Sequence, residues 1–508
     1  MRRAGIDIAL RAAHKAAVYD DGDRRGRPFP VPQTRSGIDE LVRRTTAGQQ
    51  GACEFVMEPT GLAWLPLAAE LSRQGHKVYL PKPQKTHALR KFLAQHAKTD
   101  GIDACAAALV RHVDKDTHEL RVPSATETTL RLVVKQRARV VVEAARAKGR
   151  IQSFLVLANP HLGKALGRDG TSEVATAFLR RQLDPFEVVA RGKAELRRFW
   201  QRHSHGRYDE AQLEAVWAAC VTTRDLYAAL RDGKRLPFEY KSLQLLVRQS
   251  LEHIEFLEGQ VDELDAIVAR CYAELDPERF LEREVCGFGP IIAAAVQAFA
   301  GDVERFGSVK RYAAFFGVTP RTKQTGLAGE KPRQRMTKGG HNLLKQYMFL
   351  AAEVARRQDP ELAATYAHAI ARGKHHYSAV IIVAHQLVRR VYGLLKARAA
   401  AHAAGAPAPS YCLQAPDGES LSRTAARSYV AKHFPSKATK EAAKRAAQTA
   451  PRSRSLPHIT GSSEDATKAV AAALPSALVA KPSACGKSED NPVPNPLKSQ
   501  ANLSLDET

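Results

Sequence analysis

The sequence predicts an α/β domain followed by helical ones, and three observations carry that expectation. Within the first 120 residues, short apolar runs bounded by turn residues alternate with helical periods. From 121 to 275 helical periodicity takes over, and from 276 to 400 it continues around Gly-rich turns and a basic stretch. Beyond 401, Ala, Pro, Ser and Lys displace the large apolar residues, which reads as a disordered basic tail. A chain of 508 residues exceeds what one core sustains, so 1–120, 121–275, 276–400 and 401–508 are the expected segments.

In the first segment, residues 6–10 and 16–19 read as paired strands, 37–44 as a helix and 53–57 as a strand. A helix at 62–71, a strand at 77–80 closed by Pro81 and Pro83, and a helix at 100–113 complete the alternation. In the second, 130–157 is one long helix. Residues 243–272 carry heptads, with Val247, Ile254, Val261 and Val268 at one position and Ser250, Leu257, Leu264 and Cys271 at the other. That pattern suits a coiled coil, a long helical hairpin, or a helix packed on its own domain. Residues 160–240 read as polar and irregular. In the third, Val285-Cys286-Gly287-Phe288-Gly289-Pro290 leads into an apolar run at 291–299 and has the look of a helix-hairpin-helix. There Gly287 and Gly289 would let backbone N–H groups approach a phosphate, although a plain helix start fits the same residues.

The formal net charge of +24, with a pI near 9.8, calls for a polyanionic partner, nucleic acid first. The tail holds thirteen basic and nine acidic residues, so most of the excess belongs to the folded body. Two stretches concentrate it. From 305 to 357 there are twelve Lys and Arg against Glu330 and Glu353, among them Arg321, Lys323, Arg333, Arg335 and Lys338. From 77 to 98 there are Lys77, Lys82, Lys85, Arg90, Lys91 and Lys98 with no acid between them. Both suit a nucleic-acid backbone. No apolar stretch of the ~18–20 residues that a spanning helix needs is visible, and no signal-peptide core follows Arg2 and Arg3, so no membrane partner is expected. Seven scattered cysteines without a C-x-x-C pair argue against zinc or disulfides and fit a reducing cytoplasm.

Four acids stand out. Asp7 interrupts an apolar run, Glu58 ends another before Pro59-Thr60-Gly61, and Asp100 and Asp103 lie three apart at a helix start, on one face. Each has a bland explanation: an edge-strand Asp, a solvated turn Glu, an N-capping Asp100 with Asp103 favoured by the helix dipole. Jointly they form a pattern. A carboxylate in an apolar strand carries a desolvation cost, and hard oxygen ligands of this kind suit one or two Mg²⁺ ions acting on a phosphodiester.

At this point a family is recognisable. Gly5-Ile6-Asp7, Met57-Glu58-Pro59-Thr60-Gly61 and Lys98-Thr99-Asp100-Gly101-Ile102-Asp103-Ala104 resemble the signature blocks of the DEDD transposases of bacterial insertion sequences, the IS110 type. Cys286-Gly287-Phe288-Gly289-Pro290, Phe315-Phe316-Gly317-Val318-Thr319-Pro320 and Thr337-Lys338-Gly339-Gly340-His341-Asn342 resemble that family's C-terminal block in order and spacing, as do Leu350-Ala351-Ala352 and Ala371-Arg372-Gly373-Lys374.

The resemblance implies a RuvC-like, ribonuclease-H-type N-terminal domain whose four acids bind Mg²⁺. It further implies a C-terminal transposase domain with a serine nucleophile, a bridge noncoding RNA as guide, DNA as substrate, and a dimer or tetramer in a bacterial cytoplasm. One position departs. Where the family has Pro-x-x-x-x-Ser-Gly, this chain has Pro320-Arg321-Thr322-Lys323-Gln324-Thr325-Gly326, which makes Thr325 the expected nucleophile, with Thr322 and Thr337 as the other hydroxyls nearby. A threonine hydroxyl can attack when activated, but its extra methyl crowds the approach and stiffens χ1. Such chemistry needs residues near 100 and near 325 to meet, within or between protomers, and the heptad helix is the expected means of joining protomers. Two further functions fit the same residues: a junction-resolving nuclease that uses the four acids and water, and an inactive copy that only binds nucleic acid.

Overall fold

The computed structural model describes residues 1–48, 51–94, 99–114, 117–167, 172–205, 208–323, 333–415 and 418–435. They fall into two compact units, Met1–Val122 and Pro123–Ser436. The stretches expected to be separate at 121–275 and 276–400 thus cluster in one unit.

The first unit runs β1 (Arg2–Asp7), β2 (His14–Asp20), β3 (Asp23–Val31), α1 (Arg35–Thr46), β4 (Glu54–Met57), α2 (Trp64–Arg73), β5 (Lys77–Tyr79), α3 (Pro83–Leu93) and α4 (Asp100–Val113). Its sheet has the order β3-β2-β1-β4-β5, antiparallel on the first three strands and parallel from β1 to β5. Successive residues of a strand point to opposite faces, and the core follows that period. Ala4, Ile6, Phe55, Met57 and Val78 pack with Leu41 of α1 and with Leu67 and Leu71 of α2. The alternate residues Ala17 and Tyr19 pack with Ala104 and Ala108 of α4, and Val56 and Tyr79 with Val110.

The first strand ends at Asp7 instead of running on to Leu10, and β3 was not expected at all. Arg24, Arg25, Arg27, Pro28 and Pro30 give β3 no apolar alternation, but it is an edge strand, where proline costs no ladder bond. The turn before it could have been read: Asp21 and Gly22, at φ 48° and 105°, match the positive-φ hairpin turn that Asp-Gly favours. Helix α3 was also unforeseen, although Pro83 sits in its first turn, where a missing N–H costs nothing.

The second unit begins with α5 (Ala125–Ala158), whose start is fixed by a reciprocal pair: Ser124 Oγ accepts from Glu127 N, and Glu127 accepts from Ser124 N. There follow α6 (Leu162–Ala165), α7 (Glu173–Arg181), α8 (Pro185–Arg191), α9 (Lys193–His203), α10 (Glu210–Asp232) and α11 (Tyr240–Leu275). Helices α5 and α11 run antiparallel: Thr126 donates to Glu274 at 2.6 Å, Arg137 pairs with Asp265, and Lys148 meets Glu258 at 3.0 Å. The heptad residues Val247, Ser250, Ile254, Leu257, Val268 and Cys271 are buried, while Val261 and Leu264 pack on Val140 and Ala144 of α5. That seam is therefore occupied within the chain, where the sequence suggested a way to join protomers.

The 160–240 stretch, expected to be irregular, folds into the helices α6 to α10 around Phe178, Phe199, Trp200, Leu213 and Val216. Its helices are mostly under four turns, too short for a conspicuous period. Their starts are marked nonetheless by Ser172, Asp184-Pro185 and Asp209, each side chain accepting a first-turn N–H.

The remainder is α12 (Phe280–Glu284), α13 (Pro290–Ala300), a 3-10 turn (Glu304–Phe306), α14 (Val309–Phe316), β6 (Pro320–Lys323), β7 (Arg333–Met336), α15 (Asn342–Ala355), α16 (Pro360–Ala371) and α17 (His376–Ala403). Helix α17 is long and apolar enough by composition to cross a membrane, contrary to expectation, yet half of that stretch is buried. Val380, Val383, Leu387, Val388 and Val391 lie in the core it shares with α13, α14 and α15. Folding also continues past 401. Two short strands, β8 (Leu413–Gln414) and β9 (Ser420–Leu421), and α18 (Arg423–His433) bring Leu413 and Ala426 into the same core. The expected tail therefore starts too early at 401; residues 436–508 lie outside those described. The six described cysteines are free.

Candidate active site

The register of the sheet places the first two acids. In the parallel β1–β4 pair Ile6 lies opposite Met57, so the next residues, Asp7 and Glu58, leave the C-terminal ends of adjacent strands side by side. Both are half-buried. The chain turns sharply after Glu58, with Thr60 N donating to Glu58 O at 2.8 Å and Gly61 at φ 54°.

Gly5 places the other two. A Cβ there would lie 2.1 Å from Ala104 O and 2.2 Å from Ala108 N, so glycine lets α4 rest directly on β1. Arg3, one pleat below, donates to Ala108 O at 3.5 Å. Going up the strand from Arg3 to Asp7 thus means going down the helix from Ala108 toward Asp100. The first turn of α4, with Asp100 and Asp103, comes to the same end of the sheet as Asp7 and Glu58. Thr99, not Asp100, caps the helix by accepting from Ile102 N, which leaves the Asp100 carboxylate without a capping duty.

The carboxylates share one end of the sheet but do not close on a point: among the described residues no three His, Cys, Asp or Glu side chains form a metal cluster. Arg90 of α3 ion-pairs with Asp103 at 3.4 Å, with both side chains largely buried. The donor set of four hard oxygen groups fits a divalent cation such as Mg²⁺ in chemistry, and an arriving ion would compete with Arg90 for Asp103.

Of the basic residues expected to line this end, Lys85 is drawn to Asp114 at 2.5 Å and Arg90 to Asp103. Lys77, Lys82 and Lys91 are exposed, and Lys98 lies outside the described residues.

In the second unit the structure joins two of the sequence blocks. Gly317, at φ 69°, and Gly340, at φ 95°, touch back to back: a Cβ on Gly340 would lie 2.5 Å from Gly317 Cα. His341 N donates to Phe315 O at 2.7 Å and Thr337 N to Thr319 O at 3.1 Å. These contacts close the base of the β6–β7 ribbon. Its register sets Arg321 across from Arg335 and Lys323 across from Arg333. Lys338 is exposed just beyond β7, while Thr325, with the rest of 324–332, lies outside the described residues. Thr322 is in β6 and Thr337 at the ribbon's base, its Oγ1 accepting from Gly339 N at 3.1 Å.

Gly287 and Gly289 differ. A Cβ on Gly287 would lie 2.3 Å from Ala351 O, so this glycine, at φ 84°, serves close packing on α15. Gly289 heads α13 with open space around it, and of the two it is the one that could face a phosphate.

His341, within the Thr337–Asn342 block, is a residue whose role the sequence alone does not disclose. It caps α15 through Nδ1, which accepts from Leu344 N at 3.3 Å, and its ring packs 4.5 Å from that of Phe299. Burial, with Lys135 and Arg305 adding to it, pushes its pKa down to about 4, so the ring is neutral at physiological pH. The sequence signal was Gly340 just before it, which permits the close backbone approach to Gly317.

Residues 4–160, containing all four acids, match a transposase family of the DEDD, IS110 kind, and residues 282–367, containing the ribbon and His341, match the transposase family IS116/IS110/IS902. The chain belongs to the IS110 family of DEDD transposases. An insertion element IS110 protein of Streptomyces coelicolor is 24% identical over 398 residues, 77% of this chain and 93% of the relative. An IS900 protein of Mycobacterium paratuberculosis is 25% identical over 414 residues, 79% of this chain and 97% of its own length. A Pseudomonas aeruginosa protein named a probable family 20 transposase is 31% identical over 113 residues, 22% of this chain and 32% of that one. In this DNA transposase the four acids lie in one unit and the β6–β7 ribbon in the other.

Proposed function

We propose that this transposase is a site-specific recombinase that cuts and rejoins DNA by way of a covalent protein–DNA link. Asp7, Glu58, Asp100 and Asp103 hold one or two Mg²⁺ ions, and Thr325 is the nucleophile. A bound divalent ion supplies Lewis-acid polarisation of the scissile phosphate and charge for the leaving oxygen. The Thr325 hydroxyl attacks phosphorus, the bond to the leaving oxygen breaks, and the hydroxyl proton passes to a base. Arg321, Lys323, Arg333, Arg335 and Lys338 bind the DNA backbone and stabilise charge on the phosphoryl oxygens. A bridge RNA supplies sequence choice, and the active form is a dimer or tetramer. Cytoplasmic DNA of a bacterium is the setting.

The observation that supports this best is the convergence of four carboxylates, from three distant places in the sequence, at one end of one sheet beside cationic α3. The experiment is a denaturing-gel search for a covalent adduct, with Mg²⁺, candidate bridge RNA and labelled element-junction DNA. Wild type should form an adduct that Thr325→Ala and Asp7→Ala lose and Thr325→Ser keeps or increases. Mg²⁺-dependent nicking with no adduct in any variant would replace the recombinase with a hydrolytic nuclease.

A further inference from the structure

The surface where α15, α16 and the start of α17 meet has no part in that mechanism. Three rings lie in a row there. Phe349 and Tyr377 are stacked at 5.7 Å between centroids and 24° between planes, and Tyr377 and His375 at 5.6 Å and 17°. Tyr377 remains 48% exposed and His375 is exposed, so the row is half covered by its own members and open to more. Arg357 lies just past the end of α15, the helix that carries Phe349, and Arg372 and Lys374 come just before His375 in the chain; all three are exposed. Arg357 pairs with Glu353 at 3.1 Å, whereas Arg372 and Lys374 have no acidic partner among the described residues.

The turn that presents these groups is held from below. Gly373, at φ 75°, ends α16 with Gly373 N donating to Ile370 O at 2.9 Å and Lys374 N to Ala369 O at 3.1 Å. His376 is partly exposed and held at both ring nitrogens: its Nδ1 shares a hydrogen bond with Tyr366 Oη at 2.9 Å, and its Nε2 lies 3.0 Å from the Glu353 carboxylate, which also accepts from Arg356 at 2.7 Å. His375 Nδ1 accepts from Tyr377 N, which fixes the first turn of α17. A ring held in place by such a frame loses little freedom when something stacks on it.

We propose that Phe349, Tyr377 and His375 form a stacking platform for the unpaired bases of a single-stranded nucleic acid, with Arg357, Arg372 and Lys374 on its phosphates. Every base offers a π face, so the platform takes any sequence. Flanking cations of one sign select a polyanion over an apolar protein surface. The proposal rests on the recombinase reading and adds to it a contact for strands that are not in a duplex.

The test uses the full chain and labelled oligonucleotides, single-stranded DNA and RNA alongside the matching duplex, read by fluorescence anisotropy. Tyr377→Ala should weaken single-strand binding roughly tenfold, in line with the loss of one stacked base, and leave duplex binding within about twofold. Tyr377→Phe should bind as wild type, which separates the ring from the hydroxyl. Arg372→Gln with Lys374→Gln should weaken single-strand binding with a shallower salt dependence. Unchanged single-strand binding in Tyr377→Ala would overturn the platform while leaving the recombinase intact. A change of oligomeric state on sedimentation would also overturn it, because the face would then join copies of the chain. Wild type that binds neither single strand nor duplex would overturn both.

Discussion

At the end of the five-stranded sheet, Asp103 meets Arg90 in half-buried space, whereas the β6–β7 ribbon sets Arg321 and Lys323 in backbone register with Arg335 and Arg333. The two regions share a device. In each, a glycine allows two backbones to touch, Gly5 beneath α4 and Gly317 against Gly340, and the chemistry-bearing residues follow within a few positions. They differ in how charge is balanced. The acid end has Arg90 as a partial internal counter-ion to Asp103. The ribbon sets basic residues in register with basic residues. The first depends on the sheet for its precision, the second on a two-stranded element joined to its core at one end.

The largest expected effect breaks the first device. Gly5→Ala drives a methyl into the α4 backbone, 2.1 Å from Ala104 O, with no flexible side chain to give way. We expect at least about 3 kcal/mol of destabilisation of the first unit, at the upper end for overpacking, measured by urea unfolding. An unchanged midpoint would mean that α4 is not seated on β1, and the convergence of Asp100 and Asp103 with Asp7 would go with it.

A smaller effect sharpens the contrast in electrostatics. The folded pKa of His341 is depressed from 6.5 to about 4 by burial and by Lys135 and Arg305. A depressed histidine contributes stability above its unfolded pKa, and that contribution is lost as pH falls from 6.5 towards 4, where the unfolded chain takes the proton first. Other buried histidines titrate in the same direction, so the comparison is with His341→Asn, which keeps a capping side chain. Wild type should lose about 1–3 kcal/mol more than the variant across that window. Equal pH profiles would show that the ring is open to solvent.

What could be read in the sequence was whatever leaves a period or a chemical oddity. Helix α4 lies at 100–113, as expected, because Thr99 and the first-turn acids mark its start. The burial of Val247, Ile254 and Val268 followed from their seven-residue spacing. The pairing partner of that seam was not legible, since heptads do not say whether the facing helix is in the same chain. Strand β3 hid because edge strands need no apolar alternation, and α6 to α10 hid because short helices show too few turns. The four acids share one end of the sheet, and the reason, a bare glycine under α4, is a tertiary contact. Gly287 shows the opposite error: a flexible-looking turn glycine whose freedom is used against α15.

The smallest effect concerns the ribbon. Arg335 lies directly opposite Arg321, and replacing it with Gln removes one like-charge pair, which should stabilise the second unit by a few tenths of a kcal/mol in low salt. The same change should cost nucleic-acid affinity, and because one phosphate contact disappears the slope of log affinity against log salt should fall by about one. The two effects have opposite signs and a common cause. A ribbon kept for stability would be improved by Arg335→Gln without loss of binding, whereas one kept for DNA pays for its charge pattern in the free protein. Affinity that is unchanged, with an unchanged salt slope, would therefore remove Arg335 from the backbone contacts and leave its position opposite Arg321 without a function.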